Sequence, residues 1–149
     1  MAMSTDADLI KYQPDILNYG IDEFTDEHAK AREDILRRLR NEWWGRAKNY
    51  KNFNGNSRYV EMDADKLTEA QFTRCAVYRV LSEYALPQLT KWNATGDEDK
   101  FQVMMNHYHK KYNEEFTAIL MDGVEYDFDD DGTVQDDERD SINSVRLSR

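Results

Sequence analysis

Several features that define other classes of protein are scarce in this sequence. Its 149 residues include one cysteine, Cys75, and two prolines, so neither an internal disulfide framework nor a multi-cysteine zinc site is available. No apolar run approaches the ~18 residues of a membrane span, and we expect no secretion signal. This length and composition predict one ordinary domain, held together by its own apolar core. A lone cysteine fits a reducing compartment, or a particle assembled in one.

Acidic charge is concentrated in one window near the C-terminus. The net charge is −10, and residues 122–140 carry −9 of it, because they hold ten acids and a single base, Arg139. The rest of the chain is close to neutral. The charge pattern predicts two regions: a helical domain with an N-terminal arm over residues 1–121, and an acidic segment and tail over residues 122–149.

Three long stretches have the apolar spacing of amphipathic helices. One begins at Thr25, and the next spans Leu67–Leu86 and should end or kink before Pro87. The last follows the break at Asn93–Asp99 and is closed by Gly123. The apolar stripes comprise Ala31, Ile35, Leu39, Trp43 and Ala47; Phe72, Ala76, Val77, Val80, Leu81 and Tyr84; and Phe101, Met104, Met105, Tyr108, Tyr112, Phe116 and Ile119. The predicted fold class is all-α, a small bundle of three long helices.

Finer signals lie at the ends of these stretches. Thr68 and Gln71 have the spacing of a capping box, which predicts how the central helix begins. An N-terminal arm around Pro14 should contain one or two short helical turns, and we expect Met1–Ala7 to be loose. The residues after the last helix, Val124–Phe128, predict a short strand before the non-helical tail.

One acidic stretch, DFDDDGTVQDDE, matches the calcium loop of an EF-hand. Gly132 stands at the position of the sharp turn, where such loops require glycine. The candidate metal ligands are Asp127, Asp129, Asp131, Thr133, Gln135 and Glu138. Because the loop is single, the pattern predicts one weak Ca²⁺ site with Kd on the order of 10⁻⁴–10⁻³ M. The alternative is a solvated acidic loop that holds no ion.

Basic residues gather in a segment of 22 residues, Arg37–Arg58, with a net charge of +6. Aromatic side chains are interleaved with the bases, and Glu42 is the only acid. The candidate interface residues are Arg37, Arg38, Arg40, Arg46, Lys48, Lys51 and Arg58. Three interpretations stay open: solvated arginines around core aromatics, contact with the acidic window of a neighbouring copy, and binding of single-stranded nucleic acid.

Side chains that carry catalysis do not form a recognisable pattern in the sequence. His107 and His109 are two residues apart on a helix and point to different faces, so they do not form a zinc pair. We expect these histidines and His28 to be surface or partly packed residues. Cys75 lies beside the central apolar stripe, which is typical of a small buried thiol. With no phosphate-binding glycine loop or nucleophile elbow in the sequence, we expect a protein that is not an enzyme.

Five segments occur in an order that resembles a known family. A short proline-containing arm precedes a capped helix that ends in tryptophans at Asn41–Trp44, and a central helix LTEAQFTRCAVYRVLSEYAL follows. A tyrosine-rich helix, YHKKYNEEFTAIL, then leads into GVEYDFDDDGTVQDDE. In this order of parts, over roughly residues 9–139, the sequence resembles the head–tail adaptor (connector, or neck) proteins of tailed bacteriophages.

The resemblance implies a structural virion protein without an active site. It implies a homo-oligomeric ring of about twelve subunits in the phage neck, assembled in the host cytoplasm, between the portal protein and a tail or head-completion protein. Such a ring would lie close to DNA without specific binding and away from any membrane. The alternative function is a stand-alone EF-hand-like calcium-binding protein. It is disfavoured because a sensor needs a second loop and a methionine-rich groove, whereas Met104 and Met105 fit the core stripe.

Overall fold

The chain is mostly helical. The computed structural model describes residues 2–18, 20–44, 62–89, 100–127 and 132–134. Helices account for 76% of the described residues, and no strand occurs among them. The all-α prediction is therefore confirmed for this part of the chain.

The described part of the chain contains five α-helices and several shorter helical turns. The α-helices are α1 (Asp6–Tyr12), α2 (Thr25–Leu39), α3 (Thr73–Arg79), α4 (Leu86–Leu89) and α5 (Lys100–Asp122). Wider π-helical segments continue α2 over Arg40–Trp44 and α3 over Val80–Ala85. Turns of 3₁₀ type cover Ile16–Asn18, Ala64–Lys66 and Glu69–Phe72. The predicted start of α2 at Thr25 and the predicted short turns of the arm are confirmed.

The chain forms two compact units, each assembled from separated stretches of sequence. The first unit comprises Met1–Glu33 and Phe72–Phe116, and the second comprises Asp34–Gln71 and Thr117–Arg149. The division predicted from charge, with its boundary between residues 121 and 122, stays a prediction. Most of the residues after Asp127 lie outside the described part of the chain.

An apolar cluster fills the first unit. Val80, Leu81 and Tyr108 pack in it together, and Met105 lies against it. The other buried members are Leu9, Ile16, Phe24, Ala31, Val77, Ala85 and Leu86. Burial of large aliphatic and aromatic side chains stabilises the fold by about 1.5–3 kcal/mol each, so this cluster is the main source of stability in the unit.

The N-terminal arm is part of this structure rather than loose. Met3 and Ser4 are buried, so the prediction for Met1–Ala7 is wrong over these residues. Two contacts hold them: the Thr73 hydroxyl donates to the Met3 carbonyl (3.0 Å), and Ser4 Oγ lies 2.6 Å from a ring nitrogen of His28. Polar groups removed from water must find hydrogen-bonding partners, and these contacts fix the position of the arm.

Pro87 lies within the helical run that follows α3, so the helix does not end before it, and the alternative of a kink at this point stays a prediction. The preceding turn is π-helical, and the Leu86 amide donates to the Leu81 carbonyl, five residues back. In a regular α-helix, a proline ring clashes with the carbonyl oxygen four residues before it. The wider π-helical turn shifts the carbonyl oxygens that precede Pro87 relative to its ring. In addition, the Gln88 side chain donates to the Tyr84 carbonyl (2.7 Å) and supplies a hydrogen bond near the site of the proline.

Candidate functional site

The second unit places a short extended peptide directly after α5. Gly123 ends the helix: its amide donates to the Ile119 carbonyl (3.1 Å), and its φ of +98° is a left-handed conformation that favours glycine. The predicted helix end at Gly123 is confirmed. Beyond it, Val124 and Tyr126 are 2% and 3% exposed, whereas Glu125 between them is half-buried. Gly123 and Asp127 are buried as well, so Glu125 is the one partly exposed residue of this stretch.

The peptide Gly123–Asp127, which we call the docking segment, is held by backbone hydrogen bonds. The Thr68 amide donates to the Glu125 carbonyl (3.0 Å), and the Asp127 amide donates to the Lys66 carbonyl (2.9 Å). These bonds flank an antiparallel bridge between Leu67 and Tyr126. The sequence predicted a strand over Val124–Phe128, and the described part of that stretch contains this single bridge instead.

The Gln71 side chain explains why the bridge does not extend into a strand. Its Nε2 donates to the Gly123 carbonyl (2.9 Å), and its Oε1 accepts from the Glu125 amide (3.0 Å). The amide side chain thus occupies the position where a further backbone partner would pair. The predicted capping box of Thr68 and Gln71 is wrong, because the Thr68 amide and the Gln71 side chain both bind the docking segment. Helix α3 begins at Thr73 without a side-chain cap.

Two indole rings lie against the tyrosine of the docking segment. Tyr126 lies with its ring centroid 5.8 Å from Trp43 and 5.1 Å from Trp44, and the two indoles are 5.8 Å apart in a tilted arrangement. The Tyr126 hydroxyl also accepts from the Asp63 amide (3.0 Å). Aromatic pairs at such distances contribute about 0.5–1.5 kcal/mol beyond the burial of their surface. Tyr126 is therefore the principal anchor of the segment.

The calcium-loop pattern begins where the docking segment ends. The Asp127 Oδ2 accepts from the Gly132 amide (2.9 Å), and Gly132 has φ +87° with no atom near the position of a Cβ. The first ligand position and the turn glycine are therefore joined as a closed turn. Thr133 is exposed. The other predicted ligands, Asp129, Asp131, Gln135 and Glu138, lie outside the described residues.

The side chains that the structure describes do not form a complete set of metal ligands. Within the described ranges, no three His, Cys, Asp or Glu residues are grouped to hold an ion. Two of the six predicted ligands, Asp127 and Thr133, fall in those ranges. Asp127 is buried, and its amide is held by the Lys66 carbonyl, so the position of the first loop residue is defined. Binding of Ca²⁺ by the loop stays a prediction.

The basic segment is described over its first part. Arg37 and Arg40 are exposed on α2 and its π-helical continuation. Arg38 donates from Nε to Glu42 at 2.6 Å, an ion pair four residues apart along the helix. The remaining candidate interface residues, Arg46, Lys48, Lys51 and Arg58, lie outside the described residues. Exposed arginines such as Arg37 and Arg40 are available to an acidic partner.

A buried polar network in the first unit has the residue types of a hydrolase triad. The His28 ring lies 2.6 Å from Ser4 Oγ on its Nδ1 side and 3.0 Å from Asp6 Oδ1 on its Nε2 side. Asp6 also accepts from the Phe24 amide (3.2 Å). Ser4 and His28 are each 2% exposed, so the hydroxyl is closed to a substrate, and the network anchors the arm to the start of α2.

His28 was predicted to be a surface or partly packed residue, and this prediction is wrong. The signal that could have placed it was present in the sequence. His28 stands three residues before Ala31 and seven before Ile35, on the apolar stripe of α2. A histidine on such a stripe is buried with the stripe and must have hydrogen-bonding partners.

Tyrosines form a second polar cluster in the first unit. Tyr78 stacks on Tyr108 (5.9 Å between centroids) and meets Tyr12 edge-on (5.5 Å). Arg74 donates to the Tyr12 hydroxyl (3.2 Å), and this hydrogen bond is the main cause of a raised Arg74 pKa. Burial raises the pKa of Tyr78, with a smaller contribution in the same direction from Tyr12. Tyr78 therefore favours its neutral form.

Comparisons with protein-family models, with curated proteins and with solved structures found no match. Of the helices that the structure describes, none has both the length and the apolar character needed to cross a membrane.

Proposed function

We propose that this protein is a head–tail adaptor, a structural component that forms a ring between the portal and the tail of a tailed phage. The observation that carries the proposal is the order of its segments: arm, helix ending in tryptophans, central helix, tyrosine-rich helix and acidic tail. The proposed subunit is a bundle of three long helices whose acidic tail is non-helical. Its role is mechanical, so its surfaces and not a reaction centre perform the function.

Packing of the arm supports an architectural role. Leu9 and Ile16 are fully buried in the apolar cluster of the first unit, and Gln13 donates to the Tyr108 hydroxyl (2.7 Å). An arm held by apolar and polar contacts presents a defined outer surface to a neighbour. The exposed side chain of Ile10 on α1 is part of that surface.

The charge distribution supports a head-to-tail ring. A closed ring uses a heterologous interface, which needs two different and complementary surfaces on each copy. The basic segment Arg37–Arg58 and the acidic window of residues 122–140 carry +6 and −9. At its described end, the basic segment exposes Arg37 and Arg40. We propose that this segment contacts the acidic window of the next copy.

Fractionation of phage particles tests the assignment. The protein should co-purify with intact virions and be localised by antibody labelling at the neck, where head and tail join. Detection only in the soluble lysate, with none in purified virions, would contradict the proposal.

Charge reversal tests the proposed interface separately. Arg37→Glu combined with Arg40→Glu should weaken self-association, because like charges then face the acidic window. The matched control is Lys110→Glu with Lys111→Glu, which makes the same change of charge on α5. Self-association measured by sedimentation should fall for the first pair and be retained by the control. Equal losses for both pairs would mean that net charge, rather than this segment, governs association.

Calcium binding by the acidic loop is a second candidate function. The specific observation that favours it is the closed turn between Asp127 Oδ2 and the Gly132 amide, since a calcium loop needs a sharp glycine turn after its first ligand. Asp127, Asp129, Asp131, Thr133, Gln135 and Glu138 would supply the oxygens. Binding would relieve the repulsion between their carboxylates.

Calorimetric titration distinguishes an ion site from a merely acidic loop. Ca²⁺ should bind once, with Kd on the order of 10⁻⁴–10⁻³ M, and Asp129→Asn or Glu138→Gln should abolish the heat. Asp130→Asn is the matched control, because it removes the same charge from a position that does not ligate. No heat at millimolar Ca²⁺ would refute the site. An equal loss of binding heat in Asp130→Asn would mean that the negative charge of the loop, and not a defined set of ligands, attracts the ion.

A further inference from the structure

The buried network around His28 determines which of its ring nitrogens carries hydrogen. Nε2 lies 3.0 Å from Asp6 Oδ1, and because a carboxylate only accepts hydrogen bonds, Nε2 is the donor. In the neutral ring Nδ1 is then an acceptor, and Ser4 Oγ, 2.6 Å away, donates to it. Ser4 is therefore paired with a base whose tautomer is fixed by a carboxylate, which is the arrangement that activates a hydroxyl as a nucleophile.

The peptide bond between Met3 and Ser4 is closed to outside molecules but lies next to this hydroxyl. Attack by Ser4 Oγ on the Met3 carbonyl carbon closes a small ring within one residue, so the two reacting groups do not have to find each other. The Thr73 hydroxyl donates to the Met3 carbonyl oxygen at 3.0 Å, a distance suited to stabilising an oxyanion. Met3 and Ser4 are 5% and 2% exposed, so nucleophile, base and donor are held together in one buried arrangement.

We propose that Ser4 cleaves the peptide bond that precedes it, with His28 as the base and Thr73 as the oxyanion donor. The bond from Ser4 Oγ to the Met3 carbonyl carbon forms as the Oγ proton passes to His28 Nδ1. The C–N bond between Met3 and Ser4 then breaks as the same proton passes from His28 to the Ser4 nitrogen. Met3 is left as an ester on Ser4 Oγ, and one water molecule hydrolyses this ester to a Met3 carboxylate and a free Ser4 hydroxyl.

Cleavage separates the residues that end at Met3 from the folded chain. The new terminus at Ser4 stays in place, because Leu9 and Ile16 keep the arm buried in the apolar cluster of the first unit. Asp6 is a positioning residue in this reaction, since it acts through the His28 ring. The inference concerns the first unit and does not depend on the head–tail assignment.

Intact-mass spectrometry of the purified protein tests the reaction. The folded protein, kept for several days at neutral pH, should accumulate a species that N-terminal sequencing shows to begin at Ser4. Its rate should not change with protein concentration, because the reaction occurs within one chain. Hydroxylamine attacks esters far faster than amides, so it should accelerate the cleavage and leave a hydroxamate on Met3. Folded protein that yields no Ser4 terminus, with or without hydroxylamine, overturns the proposal.

Substitutions of the reacting groups distinguish this reaction from a contaminating protease. Ser4→Ala should abolish cleavage, whereas Ser4→Cys supplies a thiol and should retain it. Thr73→Val should slow cleavage roughly 10²–10³-fold, the usual effect of losing one oxyanion donor. Ser82→Ala is the matched control, because it removes another buried serine hydroxyl from the same unit and should keep the wild-type rate. Equal rates in wild type and Ser4→Ala overturn the proposal.

Variants of His28 and Asp6 are compared only where circular dichroism shows the helical fold, because both residues also hold the arm. His28→Gln should slow cleavage roughly 10²–10⁴-fold, the usual contribution of a general base. Asp6→Ala should also slow it, and Asp6→Glu should restore part of the rate because a carboxylate can again fix the tautomer. A folded His28→Gln protein that cleaves at the wild-type rate overturns the proposal. Should the His28 variant not fold, the hydroxylamine result and the comparison with Ser4→Ala decide the question.

Discussion

Replacing Gln71 by alanine removes the side chain that holds the docking segment Gly123–Asp127. Two hydrogen bonds are lost, one to the Gly123 carbonyl and one from the Glu125 amide. Each net hydrogen bond contributes about 0.5–1.5 kcal/mol, so the pair could supply about 1–3 kcal/mol. Because Gln71 is half-buried, water can reach the freed backbone groups, and we expect a loss of about 1–2 kcal/mol.

Two measurements report this loss. Urea unfolding followed by circular dichroism gives the change in the free energy of unfolding. Amide hydrogen exchange shows where it arises: the Glu125, Thr68 and Asp127 amides should exchange roughly 5–30-fold faster, the factor that corresponds to 1–2 kcal/mol. Amides within α3 should keep their rates if the effect is local.

Thr117→Ala is the control for the Gln71 variant, because it truncates an exposed side chain on α5 and should change stability by less than about 0.5 kcal/mol. The expected role of Gln71 is refuted if Gln71→Ala resembles this control in unfolding and leaves the exchange of the Glu125 amide unchanged. In that case the two hydrogen bonds would not hold the docking segment.

Three further substitutions test the packing and the ionisable groups. Leu81→Ala should lower the free energy of unfolding by about 2–5 kcal/mol, since Leu81 is fully buried in the core, and a change below about 0.5 kcal/mol in urea would contradict its place there. Tyr126→Phe keeps the ring contacts but removes the acceptor of the Asp63 amide, so unfolding should become easier by about 0.5–1.5 kcal/mol with little change in tryptophan emission. The raised pKa of Tyr78 means that the unfolded chain ionises first as pH rises through about 10, so stability is lost there. Tyr78→Phe should make that alkaline loss shallower, and identical pH profiles would exclude the effect.

Helix positions could be predicted from the sequence because they depend on local periodicity and on a few special residues. Helix α2 begins at Thr25 and α5 is closed by Gly123, as predicted. In both cases the signal lies within one helical turn of the boundary. An acidic first turn marks a helix start and a glycine marks a helix end without any knowledge of tertiary contacts.

The docking segment could not be predicted in the same way, because its partners are distant in sequence. Gln71 matches a local capping pattern with Thr68, yet its side chain binds residues more than 50 positions away. A local pattern and a tertiary contact compete for the same amide group, and the tertiary contact is formed. The helical turn at Pro87 is a similar case, since it depends on the π-helical turn before it.

The sequence predicted which residues belong to the candidate site better than it predicted how they are arranged. The sequence identified Asp127 and Gly132 as members of one loop, and the structure joins them by a hydrogen bond. It did not indicate that Tyr126, immediately before the loop, contacts both tryptophans at the end of the α2 run. Contacts between rings depend on how the elements pack, which residue spacing does not encode.

The molecular mass of the purified protein, measured with and without portal, is the decisive observation for assembly into a ring. Size-exclusion chromatography with light scattering should be performed on the chain, alone and with a candidate portal protein. We expect a discrete species to appear with portal, containing about twelve copies of the 17.7 kDa chain. A mass of one chain under both conditions, with no association with portal, would contradict the proposed ring.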